Sequence, residues 1–144
     1  MTAKQYLLRA YNLKRRIEAK EMHLEELRTQ AEHITANING MPRGSGPSSP
    51  VERVAVQIAD LAWSLDQDWL TLLQYQEENR QLIERLDNAA DVQVMSLRYL
   101  SYLTWEKIAE EVHYSGSQVY RIQVRAHRKI EQMISMKKNE DITL

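Results

Sequence analysis

Helix-breaking residues are confined almost entirely to one short stretch of this 144-residue chain. Of its four glycines and three prolines, all but Gly116 lie between Gly40 and Pro50. Glycine and proline interrupt helices, and elsewhere the apolar residues recur at helical intervals, so the sequence predicts an all-α protein. The stretch 39–50 is predicted to be a linker, with Ser49 and Pro50 starting the helix that follows it.

The segments on either side of this linker carry apolar residues seven positions apart. In residues 2–37 the two heptad rows are interrupted by Lys20, and in residues 50–86 one row is interrupted by Asn79 and the other by Asp68. Such rows predict a long, coiled-coil-like helical hairpin over residues 1–86. They are equally typical of helices that pair with another copy of the chain, so a homodimer through the N-terminal helices stays an open alternative.

The C-terminal third has the residue spacing of a helix-turn-helix. Ala109 is small where two helices would cross, and Val119 and Ile122 follow it by ten and thirteen residues. Ser115 and Gln118 have the spacing of a capping box at the start of a helix. Residues 87–136 are therefore predicted to form a helix-turn-helix bundle. The polar residues 137–144 are predicted to be a flexible tail.

The second helix of this motif, predicted over 115–130, has two distinct faces. Its apolar residues, starting at Val119 and Ile122, fall on one side, while Gln118 and three arginines share a neighbouring arc of roughly 80°. Net charge over the whole chain is −1, yet from Gln118 to Lys138 six basic residues stand against one acidic residue. This pattern is typical of a recognition helix that enters the major groove of double-stranded DNA.

Side-chain chemistry assigns roles on this helix. Arg121 can bond guanine with both arms of its guanidinium, Gln118 can do the same with adenine, and Ser117 is short enough to approach a base edge. These three residues are the predicted base readers. Contacts to the DNA backbone are predicted for Thr104 at the preceding helix start, Tyr120, Arg125, Arg128 and Lys129.

Several of these residues also carry a family resemblance. The segments that carry it are Leu97–Leu100, Leu103–Ala109, Tyr114–Ser115, Val119–Ile122 and Ala126. They resemble region 4 of bacterial sigma factors and, more closely, small phage and prophage regulators of the ArpU and RinA type.

The resemblance implies a phage-derived, sequence-specific transcriptional regulator that binds promoter or late-gene DNA and contacts RNA polymerase. It also places Gly116 in the groove-facing part of the recognition helix, against the DNA backbone. Family members often have a basic residue at that position, and Gly116 replaces it.

Other classes of function find little support in the composition. The chain has no cysteine, four histidines and no glycine-rich phosphate loop, so we expect no enzyme, no cofactor and no metal site. No stretch approaches the roughly 18 apolar residues of a membrane span, and the N-terminus lacks the apolar core of a secretory signal. We therefore expect a cytoplasmic protein in a bacterial host, associated with the nucleoid.

Two alternative functions stay open. A helix-turn-helix joined to a coiled-coil-like element also suits an oligomeric phage DNA-packaging component such as a small terminase subunit. The long helices would equally suit a protein-interaction adaptor in which the C-terminal unit is only a scaffold.

Overall fold

A computed structural model describes residues 1–38 and 49–142, and these residues form five α-helices. The helices are α1 (Ala3–Ile38), α2 (Pro50–Glu84), α3 (Ala89–Tyr99), α4 (Trp105–Val112) and α5 (Gly116–Ile142). The predicted all-α class and the long N-terminal helical hairpin are confirmed. Most of the predicted linker lies outside the described residues, but α2 begins at Pro50 as predicted, and the Ser49 hydroxyl accepts a hydrogen bond from the backbone N–H of Glu52 (3.2 Å).

The chain divides into two compact units whose boundary differs from the predicted one. One unit comprises residues 1–12 and 72–144, and the other comprises residues 13–71. The prediction separated 1–86 from 87–136. The difference arises because the start of α1 and the end of α2 share a core with α3 and α5. That core contains Ala3, Leu7, Leu82, Ile83, Leu86, Met95, Tyr99, Ala126 and Ile130.

The unit of residues 13–71 contains a part of each long helix, with heptad residues such as Ile17, Leu24 and Leu65 buried. Two of the three polar residues that interrupt the predicted rows, Lys20 and Asp68, meet each other there. The Lys20 ammonium donates to Asp68 Oδ2 (2.5 Å) and to the Ser64 hydroxyl (2.7 Å). This ion pair joins α1 and α2 of the same chain, so the hairpin arrangement is the one the structure adopts.

In the other unit, a polar residue again occupies a heptad position. Asn79 is fully buried, and its amide nitrogen donates to the backbone carbonyl of Leu7 (2.9 Å). Nearby, the Arg9 guanidinium lies over the rings of Tyr6 (3.8 Å) and Tyr75 (4.1 Å) and forms a 2.6 Å ion pair with Glu78. These contacts fix α1 against α2 at the end of the hairpin that joins the shared core.

A histidine and a tyrosine form a hydrogen-bonded pair between α3 and α5. The Tyr99 hydroxyl lies 2.5 Å from His127 Nε2, and burial raises the pKa of Tyr99 to about 12. Burial lowers the pKa of His127, and the positive charges of Lys4 and Arg98 lower it further, while the negative charge of Glu131 opposes this shift without reversing it. The neutral imidazole is therefore the form that the folded unit favours.

Helix α5 extends farther than the sequence predicts. Residues 137–142, which were predicted to belong to a flexible tail, continue the helix. Met133 and Ile134 pack against the core shared by the hairpin ends, and residues 117–142 contain no glycine or proline that would interrupt the helix. Residues 143 and 144 lie outside the described part of the chain.

We expect the Lys20–Asp68 pair to act as a unit. Asp68→Leu should lower the free energy of unfolding by about 1 kcal/mol, because it leaves the half-buried Lys20 ammonium without its partner. Adding Lys20→Leu should recover this loss, since two leucines would complete the apolar rows. Urea denaturation followed by circular dichroism measures the effect, and a double variant no more stable than Asp68→Leu alone would contradict it.

We also expect the free energy of unfolding to decrease as the pH is lowered, because His127 becomes protonated. The unfolded chain protonates this residue near its ordinary pKa of about 6.5, whereas the folded chain protonates it only at lower pH. The contribution of His127 to the free energy of unfolding is therefore constant above a pH of about 6.5, the pKa of the unfolded chain. It is lost as the pH falls from about 6.5 through the lower pKa of the folded chain. Thermal melts across this window should show a drop in Tm that His127→Gln reduces. Identical pH profiles for the two proteins would rule this out.

Candidate nucleic-acid interface

Helices α4 and α5 are joined by a tight turn centred on His113. His113 adopts the left-handed conformation (φ 58°, ψ 39°), which glycine usually supplies at the end of a helix. The backbone N–H of Tyr114 donates to the Ala109 carbonyl (3.1 Å), which closes the end of α4. The turn therefore joins the two helices through three residues, and α5 starts at Gly116.

The α4–turn–α5 unit rests on a small apolar cluster. Val94 of α3, Ile108 of α4 and Val119 and Ile122 of α5 are all buried in it, and Ala109 packs against its edge. The predicted inward orientation of Val119 and Ile122 is confirmed. Because these two residues face the cluster, the neighbouring arc of α5 is turned to solvent.

The predicted capping box at the start of α5 is present. The backbone N–H of Gln118 donates to the Ser115 hydroxyl (3.1 Å), and the Gln118 side-chain oxygen accepts from the backbone N–H of Ser115 (2.9 Å). A contact to adenine through both atoms of the amide would have to share this oxygen with the cap. The amide nitrogen of Gln118 is the donor that the cap does not use.

The residues predicted to read bases lie together on the first two turns of α5. Ser117, Gln118 and Arg121 are all exposed. Among the residues predicted to contact the DNA backbone, Thr104, Gly116, Tyr120, Arg125 and Arg128 are exposed, and Lys129 is half-buried. A Cβ atom built on Gly116 would meet no other atom within 4 Å, so packing does not require glycine there.

Thr104 and Trp105 position the other helix of the unit. The Thr104 hydroxyl accepts a hydrogen bond from the backbone N–H of Lys107 (3.2 Å), which confirms the predicted cap of α4. The Arg98 guanidinium lies 4.8 Å from the centre of the Trp105 ring. Trp105 also meets the His127 ring edge-on, with 6.5 Å between ring centres. These contacts brace α4 against α3 and α5.

Arg125 has a partner that the sequence did not indicate. Its Nε donates to Oδ2 of Asp91 (3.1 Å), and its Nη2 donates to the other oxygen of the same carboxylate. Asp91 is fully buried in the first turn of α3, and the hydrogen bonds to its carboxylate raise the pKa of Arg125. Arg125 thus joins α5 to α3, and any phosphate contact would have to be made alongside this pair.

Positive charge in this unit belongs to α5 rather than to α4. The exposed residues of α4 include Glu106, Glu110 and Glu111, and its one lysine, Lys107, lies 3.6 Å from Glu110. On α5, the exposed Arg121 and Arg128 stand on the same arc as Gln118. We call these three residues, together with Ser117, the cationic face of α5.

Within residues 1–38 and 49–142, no group of three histidine, aspartate or glutamate side chains is placed to hold a metal ion. None of the helices in this part of the chain is both long enough and apolar enough to cross a membrane.

The described residues define an all-α protein in which a long helical hairpin is followed by three further helices, the last two joined by a three-residue turn. Residues 26–131 match a family model described as a protein of unknown function, DUF1492, and the chain belongs to this family. The matched range runs from within α1 to α5 and includes all of α2, α3 and α4. No curated protein and no solved structure matches the chain.

We expect the arginines of α5 to differ in their effect on stability. Arg125→Ala should lower Tm by several degrees, because it leaves the buried Asp91 carboxylate without its partner. Arg128→Ala removes an exposed side chain and should leave Tm within about 1 °C of the wild type. Differential scanning calorimetry at neutral pH measures both. Equal melting temperatures for the two variants would show that the Asp91–Arg125 pair does not stabilise the fold.

Proposed function

We propose that this protein is a sequence-specific DNA-binding transcriptional regulator that places the first turns of α5 in the major groove. One observation carries the proposal. On the same two turns, Val119 and Ile122 are buried while Gln118 and Arg121 are exposed. A helix held in this way offers donors to base edges without disturbing its own packing.

In this proposal the residues of α5 divide their work. Arg121 binds guanine O6 and N7, while Ser117 and the Gln118 amide nitrogen contact neighbouring base edges. Arg128, Lys129 and Tyr120 contact phosphates and sugars, which positions the helix without reading sequence. Asp91 binds the Arg125 guanidinium on the side of α3, and this pair orients the recognition helix. Any phosphate that Arg125 contacts is bound while the guanidinium stays paired with Asp91.

The resemblance to sigma region 4 and to phage regulators of the ArpU and RinA type supports a role in transcription. We propose that the protein acts on phage or prophage promoters in a bacterial cytoplasm, with RNA polymerase as its second partner. Because the DUF1492 description assigns no activity, only the residues that carry the resemblance support this part of the proposal.

Selection of bound sites from a random pool of duplex DNA tests the proposal, followed by binding measurements at several salt concentrations. We expect Arg121→Ala to reduce the affinity ratio between selected and unrelated sites by about tenfold or more. Arg128→Ala should weaken binding to both, and should reduce the slope of log affinity against log salt by about 0.9. Arg28→Ala, which removes an exposed arginine on α1, is the matched control and should change neither quantity.

Two results would contradict the proposal. If no sequence is enriched from the pool, the cationic face of α5 does not read DNA. If a sequence is enriched but Arg121→Ala leaves the site preference unchanged, α5 is not the reading element. Arg125→Ala is not used as a binding variant, because the loss of its pair with Asp91 would mix a stability effect with a binding effect.

A further inference from the structure

Helix α2 carries a row of large apolar side chains on its solvent face. Val56 is 59% exposed, Trp63 67%, Leu70 63% and Leu73 60%, and Trp69 beside them is 44% exposed. Scattered exposed hydrophobic residues are ordinary on a protein surface, but a contiguous group of this size marks an interaction surface. Nothing in the proposed DNA contact uses it.

The spacing of this row is that of a second coiled-coil seam. Including two smaller residues, its members are Val56, Ala59, Trp63, Asp66, Leu70 and Leu73, which we call the outer seam. Successive members are separated by three and four residues in alternation, as in the a and d positions of a heptad. The buried heptad residues of the same helix, Val54, Leu65 and Leu72, lie on a different face. Helix α2 therefore has one seam filled within the chain and another that residues 1–38 and 49–142 leave exposed.

We propose that a second copy of this chain covers the outer seam, with the two α2 helices packed antiparallel about a twofold axis. This inference does not depend on the proposed function, because the outer seam and the cationic face of α5 share no residue.

The outer seam is complementary to itself in the antiparallel direction. With the twofold axis at the level of Ser64 and Leu65, Val56 faces the partner's Leu73 and Ala59 faces the partner's Leu70. Trp63 then faces the partner's Asp66, so an indole N–H meets a carboxylate that can accept its hydrogen bond. A large side chain stands opposite a smaller one in the Ala59–Leu70 and Trp63–Asp66 pairs, and two aliphatic side chains meet in the Val56–Leu73 pair. The seam spans about 26 Å of helix.

The residues that flank the seam fit the same register. Ala62 is placed beside the partner's Trp69, which again sets a small side chain against a large one. Of the acidic residues on this stretch of α2, Asp68 already binds Lys20 within the chain, which limits repulsion between two copies. Asp60 is placed beside the partner's Gln67, an uncharged residue that can donate to it.

A parallel pairing of the same two helices is disfavoured. It would place Asp66 against the partner's Asp66 inside the seam, where two like charges would be desolvated together. It would also place Ala59 against the partner's Ala59 and leave a gap between the two helices. The residue pattern therefore specifies the direction of the pairing as well as its position.

Sedimentation equilibrium of the full chain tests the proposal. We expect the wild type to be a dimer at micromolar concentration, and we expect Trp63→Glu or Leu70→Glu to raise the dimer dissociation constant by about 30-fold or more. Both side chains are exposed, so circular dichroism and Tm measured at low concentration should stay unchanged. Met22→Glu, at an exposed apolar residue of α1 (69%), is the matched control and should leave the dimer intact.

Cysteine crosslinking tests the direction, because the chain has no cysteine of its own. A mixture of the Ala59→Cys and Leu70→Cys variants should form a disulfide-linked dimer under mild oxidation. Each variant alone should not, because antiparallel packing sets identical positions about 16 Å apart along the axis, beyond the reach of a disulfide.

Three results would overturn the proposal. A wild-type chain that stays monomeric up to about 100 μM, far above ordinary affinities for such interfaces, would mean that something other than a second copy covers the seam. A dimer that survives both Trp63→Glu and Leu70→Glu would mean that the copies meet elsewhere. Efficient crosslinking of Ala59→Cys alone would mean that the helices run parallel. Loss of DNA binding in the Arg121→Ala variant bears on none of these readouts.

Discussion

One stripe of apolar side chains on α5 joins the two apolar clusters of the unit that comprises residues 1–12 and 72–144, and its burial fixes the orientation of α5 within that unit. Its first members, Val119 and Ile122, are buried with α3 and α4, while Ala126 and Ile130 are buried with α3 and the ends of the long hairpin. Because the residues of a helix follow one another at a fixed angle, the burial of this stripe also determines the direction in which the other faces of α5 point. The exposure of Gln118 and Arg121 is a consequence of that burial.

Within each of the two units, polar residues inside apolar surfaces set the register of neighbouring helices. Three such contacts stand where apolar side chains would bury more surface, and each forms in only one alignment of its helices. They are the Lys20–Asp68 pair, the hydrogen bond of the buried Asn79 and the Asp91–Arg125 pair. In coiled-coil seams such polar positions are known to select one pairing over others. Here they favour α1 as the partner of the inner face of α2, which leaves the outer seam of α2 for another occupant.

Local features of the fold were predictable from the sequence, and long-range partners were not. The helix caps at Thr104 and Ser115 and the left-handed His113 follow from spacing rules that act within a few residues, and all three are present. The heptad rows predicted the long helices but could not choose between partners within and between chains. The contact between Asp91 and Arg125 spans 34 residues, and neither side chain carries a local signal that identifies the other. The unit boundary near residues 12 and 72 likewise depends on packing between segments that are distant in the sequence.

The capping box at the start of α5 limits how this surface can diverge. The side-chain oxygen of Gln118 holds the backbone of Ser115, so most replacements at position 118 would weaken the helix start by about 1 kcal/mol. Glutamate would preserve the hydrogen bond but would add a negative charge where a polyanion would approach. Under the proposed DNA contact, related chains that bind a different sequence are therefore expected to vary at positions 117 and 121, whose side chains do not cap the helix, and to keep glutamine at 118.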